Sequence, residues 1–133
     1  MNTKQIEHIG IAVKSIEDSK SFYEDVLGLE CYATEVVEDQ KVKTAFFKVG
    51  EVKIELLEPT ADDSPIAKFI EKRGPGLHHI AYAVDDTDKA LAHAESKGIR
   101  LIDKSSRQGA EGLDIGFLHP KSTLGVLTEL CSK

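Results

Sequence analysis

One hexapeptide of this chain occurs twice. HIGIAV (8–13) returns as HIAYAV (79–84), 71 residues later. Each copy runs into an acidic, polar opening, KSIEDSKSFYEDVLGLE (14–30) and DDTDKALAHAESKGIR (85–100). Each opening reaches a glycine followed by an aliphatic residue, Gly28 before Leu29 and Gly98 before Ile99. Near the end of each half stands an apolar segment carrying one glutamate, VKIELLE (52–58) and GVLTELC (125–131). A 133-residue chain is one domain's worth. Its internal repeat restricts the architecture to two copies of one small unit that share a core.

Each copy reads as strand, helix and three further strands, an α+β fold of two tandem βαβββ units. Residues 6–13 alternate and are rich in β-branched side chains, as a strand requires. Ser15 is the predicted N-cap, with Glu17 and Asp18 in the first turn and Gly28 past the end. Ile16, Phe22, Tyr23, Val26 and Leu27 form the apolar stripe of that helix. Strands follow at about 30–37, 44–49 and 52–58, then a loop and a short helix at 66–72. The second copy repeats the scheme: strand 77–84, helix about 87–97, strands near 100–103, 113–118 and 125–131. The expected organisation is a single domain over 1–133, with copy one at about 5–59, a linker at about 60–75 and copy two at about 76–131.

Composition excludes several functions. A formal charge of −6, with no basic run, speaks against a nucleic-acid partner. The first residues carry no apolar signal core, and no stretch approaches the ~20 apolar residues of a membrane span. Cys31 and Cys131 are not spaced as CxxC and two thiols make no disulfide framework, so a cytoplasmic location is expected.

Strand parity then sorts the histidines. Neighbours on a strand point to opposite faces, so His78 and His79 cannot share a role. On the first strand Ile9, Ile11 and Val13 share one face, and His8, Gly10 and Ala12 the other. On its counterpart His78, Ile80, Tyr82 and Val84 share one face, and His79, Ala81 and Ala83 the other. The bulky face should pack under the helix. The opposite face, an imidazole followed by small residues, leaves room for a cavity. By the same logic Glu55 lies with Lys53 and Leu57, and Glu129 with Leu127 and Cys131. Two His and two Glu facing one cleft suit a divalent first-row metal such as Co(II), Mn(II), Ni(II), Zn(II) or Fe(II). Any one of these residues alone would more ordinarily be a hydrogen-bonded or solvated side chain; the repetition makes the set a candidate. His93, on a helix face, and His78 are read as bystanders, the latter as a loop-edge residue or a supporting partner.

The duplicated unit with His and Glu in each copy resembles the vicinal oxygen chelate superfamily, and within it the methylmalonyl-CoA epimerases. The resemblance rests on HIGIAV, FYEDVLGL, ELLEP, DSPIAKFIEKRGPGLHHIAYAVDD, GIRLID and FLHPKSTLGVLTEL, which together cover nearly the whole chain. It implies a half-barrel-like sheet around a metal cleft, with ligands His8, Glu55, His79 and Glu129 and Co(II) as the first choice of ion. The position of Glu55 is Gln in some relatives. A further acidic residue of some relatives aligns near Thr44, which cannot act as a carboxylate base. The implied reaction is epimerisation of an acyl-CoA at C2 by 1,1-proton transfer, with Glu129 as base and Glu55 serving the other face. Lys121, in the HPKS loop, is the implied contact for a CoA phosphate or the substrate carboxylate, or else a solvated turn lysine. A homodimer is also implied. The alternatives are an extradiol-type dioxygenase with Fe(II), a glyoxalase I-like enzyme and a metal-free small-molecule binding protein.

Overall fold

A computed structural model describes residues 1–133. The chain is α+β, with eight strands: β1 (Thr3–Ala12), β2 (Cys31–Val37), β3 (Val42–Val49), β4 (Val52–Pro59), β5 (Gly76–Val84), β6 (Arg107–Gln108), β7 (Asp114–Leu118) and β8 (Thr128–Ser132). Its three α-helices are α1 (Ile16–Ser21), α2 (Pro65–Arg73) and α3 (Thr87–Ser96). No helix is long and apolar enough to cross a membrane. The chain divides into two compact units: a central one, Ile9–His78, and a split one made of Met1–His8 with His79–Lys133. The division falls inside β1 and β5, directly beside the two predicted ligand histidines.

In the central unit the strand order is β2-β3-β4-β1, with β2, β3 and β4 antiparallel. Its helical segment is shorter than the stripe predicts. Ser15 caps α1, its hydroxyl accepting from the Asp18 amide at 3.2 Å. After Ser21 the chain loosens into a π turn, Phe22–Val26, in which the Leu27 amide donates to the Phe22 carbonyl. Gly28 then takes φ +69°, a left-handed conformation that a side chain resists. Val13, Ile16, Ala45, Phe47 and Leu56 form one core cluster, with Ile11, Tyr23 and Ile54 packed on it. A second joins Ala12, Val42, Leu57 and Ile66, with Phe69 and Ile70 of α2 against it.

In the split unit the order is β1-β5-β8-β7-β6; β5 pairs with β8 in parallel, and β8, β7 and β6 are antiparallel. Asp86 caps α3, accepting from the Lys89 amide at 3.0 Å, 71 residues after the Ser15 cap. Ala90, Leu91 and Ala94 of α3 pack with Val84, Leu118 and Leu130, and Tyr82 joins them. The bulky face of β5 thus lies under the helix, as parity requires.

Two expected strands differ. Over 100–103 there is only a bridge, Leu101 to Leu118. The Ile102 and Asp103 amides share the Phe117 carbonyl, and the Asp103 carboxylate takes the Phe117 amide at 2.8 Å. A side chain thereby replaces a main-chain ladder partner, and pairing stops. The last strand begins at Thr128 rather than 125, because Leu124 (φ +63°) and Gly125 (φ +87°) both adopt left-handed turn geometry.

Candidate metal centre

β5, β8 and β7 lie side by side, and their register sets the site. Glu129 on β8 is flanked by Ala81 on β5 and Phe117 on β7. His79 sits two residues before Ala81, on the same strand face. His8 comes from β1, within the same split unit. His8, His79 and Glu129 are all buried, each only 3–4% exposed. The two Nε2 atoms face each other at 3.0 Å. His8 Nε2 lies 3.4 Å from Glu129 Oε2, and His79 Nε2 lies 3.4 Å from Glu129 Oε1. The imidazole planes are nearly perpendicular, at 88°. Phe117 meets the His79 ring edge-on, 5.4 Å between centroids, and closes one side with apolar surface. Beyond the trio, Ala81, Ile115 and Cys131 form a small dry cluster with Leu113 and Phe117.

This donor set fits a cation on three counts. Two ring nitrogens and a carboxylate converge, which is borderline-hard ligand chemistry suited to first-row divalent ions. Glu129 Oε2 is buried without a hydrogen bond, although a buried carboxylate oxygen ordinarily has one. The facing Nε2 atoms can share only one proton, so at least one lone pair points into the cluster.

The remaining predicted site residues are placed as follows. Glu55 is buried in the central unit, on β4 opposite Phe46, the same Glu-against-Phe pairing that Glu129 makes with Phe117. Thr44 is also buried there, opposite Leu57. Lys121 stands exposed in the turn Pro120–Ser122 and is not part of the trio; His93 is exposed on α3. His78 packs edge-on against Phe69 of α2, 5.0 Å between centroids, and burial lowers its pKa to about 4. It is a neutral packing residue at physiological pH.

Sequence reasoning missed Glu7. Its carboxylate lies 2.6 Å from His8 Nδ1, although strand neighbours ordinarily diverge. With Cys131 it forms a second potential ligand group around His8. The available signal was the acidic residue directly before the histidine, at the position that His78 occupies in the second copy.

Comparison with known proteins adds a lineage. The family described as Glyoxalase/Bleomycin resistance protein/Dioxygenase superfamily matches residues 7–117. An uncharacterized Bacillus subtilis protein, YqjC, is 51% identical over 96% of this chain and 91% of its own length. The ethylmalonyl-CoA/methylmalonyl-CoA epimerase of Cereibacter sphaeroides is 38% identical over 95% of this chain and 96% of its own. Among solved structures, a variant of the Streptomyces coelicolor methylmalonyl-CoA epimerase in complex with 2-nitronate-propionyl-CoA superposes with a TM-score of 0.95. It is 40% identical, and the match covers 99% of this chain and 96% of that one.

Proposed function

The chain belongs to the glyoxalase/bleomycin resistance protein/dioxygenase superfamily and, within it, to the family of the methylmalonyl-CoA epimerases, and from that premise we propose that it interconverts the R and S forms of methylmalonyl-CoA by proton transfer at C2. The observation that carries this reading is the convergence of His8, His79 and Glu129, buried together in a chain of that family.

The barrier to this reaction is the weak acidity of the C2–H bond, because the negative charge left behind must rest on the thioester oxygen. His8, His79 and Glu129 would hold a divalent ion, Co(II) first and Mn(II), Ni(II) or Zn(II) as alternatives; when bound, it supplies a Lewis acid for that developing charge. A carboxylate has two oxygens, so Glu129 offers one to a cation and the other to a proton. Glu129 is the proposed base at one face of C2. Epimerisation also needs an acid on the other face, and we assign it to Glu55. The grounds are chemical: Glu55 is a buried carboxylate, and Thr44 has no group that titrates in the needed range. Burial of the trio, with the half-buried Phe117 ring beside it, would keep water from the reacting carbon. Lys121 remains the proposed contact for a CoA phosphate. The homodimer and the cytoplasmic setting are likewise part of the proposal; sedimentation of only monomer at micromolar concentration would remove the former.

Deuterium wash-in at C2 tests the reading, measured from each epimer separately with metal-free and Co(II)-loaded protein. The loaded protein is expected to exchange and interconvert both epimers. Glu55→Gln should lose turnover yet still exchange the C2 proton of one epimer. Equal, near-normal wash-in from both epimers in Glu55→Gln overturns the role of Glu55 and returns the search to β3 around Thr44. Failure of the wild-type protein to exchange in either form overturns the epimerase reading.

A further inference from the structure

We infer that Glu7 is a positioning residue for the candidate metal centre: its carboxylate holds the proton of His8 on Nδ1 and so turns the Nε2 lone pair toward His79 and Glu129. The inference rests on the metal reading above and adds to it a residue outside the trio of His8, His79 and Glu129. Glu7 Oε1 lies 2.6 Å from His8 Nδ1, at the short end for a hydrogen bond to a charged carboxylate. The two side chains are 17% and 5% exposed, so water does little to screen the pair. An ionised carboxylate only accepts hydrogen bonds, so the bond requires N–H at Nδ1. The neutral imidazole then has its lone pair at Nε2, the atom 3.0 Å from His79 and 3.4 Å from Glu129. Adjacent residues on an extended strand point apart, so this bond needs a side chain long enough to reach around β1. An aspartate, one methylene shorter, has less reach for the same turn. An acidic partner on the distal nitrogen both orients a ligating histidine and raises its basicity.

Two measurements test this. The first is the ¹⁵N signature of the His8 ring in metal-free protein. The wild type should show Nδ1–H and an unprotonated Nε2. Glu7→Leu should show a mixture of tautomers or the reverse, and Glu7→Gln, whose amide oxygen also accepts, should keep most of the wild-type pattern. The second is Co(II) affinity by competition with a chromophoric chelator. Glu7→Leu should bind about 10–100-fold more weakly, the range for loss of such a partner, with Glu7→Gln between it and wild type. If wild type binds Co(II) and both variants match it, or if the His8 tautomer is unchanged in Glu7→Leu, the inference is overturned and the metal reading survives. If wild type binds no Co(II) while its His8 tautomer is as stated, the metal reading falls and takes the inference with it. The glutamine variant keeps the test open should the leucine variant fail to fold.

Discussion

The two histidine strands carry closely similar hexapeptides but differ in the residue before the candidate ligand position. In the first copy that residue is Glu7, bonded to its neighbour His8 at 2.6 Å. In the second copy it is His78, which packs on Phe69 and remains uncharged down to about pH 4. One predecessor serves the cluster chemically, and the other serves the core. The same divergence runs through the rest of the repeat. Ser15 and Asp86 cap equivalent helices, and Phe46 opposite Glu55 answers Phe117 opposite Glu129. Ala45, by contrast, corresponds to Gly116. β2 has seven residues where β6 has two. The copies keep the caps and the paired His and Glu positions while the residues around them differ, so equivalent positions are not interchangeable.

The largest expected difference between the copies is catalytic. Glu129→Gln should lower turnover by at least ~100-fold, the lower end of what a positioned acid/base contributes, while leaving the fold intact. If Glu129→Gln retains near-normal turnover with circular dichroism unchanged, Glu129 is not the base and the two glutamates differ in some other way.

A smaller effect should come from exchanging the equivalent small residues. A Cβ added at Gly116 would lie 2.7 Å from Leu91 Cδ1, in the core under α3. Gly116→Ala, which installs the first copy's residue in the second, should cost about 1–3 kcal/mol by overpacking. The reciprocal Ala45→Gly should cost roughly 1 kcal/mol through chain entropy and lost contact. Urea midpoints at constant m-value report both. A Gly116→Ala protein as stable as wild type would mean that Leu91 moves aside without penalty.

A third effect concerns pH. Folded His78 resists protonation until about pH 4, whereas in the unfolded chain it protonates near 6.5. Between those values the unfolded state binds the extra proton, so stability falls with acidification across that window and levels off below it. The contribution is about 2 kcal/mol after discounting for partial exposure. Metal-free wild type should therefore lose Tm from pH 6.5 to 4.5 more steeply than His78→Leu. Parallel slopes would show that His78 titrates normally in the folded protein.

What was legible in the sequence is what a period of 71 residues and strand parity can carry. The Ser15 cap, the side of β5 that packs under α3, and the choice of His79 over His78 beside His8 follow from residue order alone. Glu129 joining them also follows, because β8 alternates as predicted. Glu7 does not follow, since nearest neighbours on a strand are expected to diverge and only the reach of one side chain brings them together. Nor does the loss of the strand at 100–103, where the Asp103 carboxylate outcompetes the ladder for the Phe117 amide. The π turn after Ser21 was hidden for a similar reason: the apolar stripe is compatible with either winding. The grouping of Met1–His8 with His79–Lys133 is a tertiary outcome that no local pattern encodes.

That grouping has a consequence in time. The three converging side chains sit at positions 8, 79 and 129, so His8 is synthesised well before His79, and Glu129 after both. His79 follows His8 by 71 positions, and Glu129 follows His79 by 50. Each closure must be reached against the entropy of the intervening chain. A nascent chain on the ribosome holds no such trio until β8 has emerged. The cluster therefore exists only once β8 is in place: an ion bound there would select chains in which β1, β5 and β8 are assembled, and by mass action would hold them in that state.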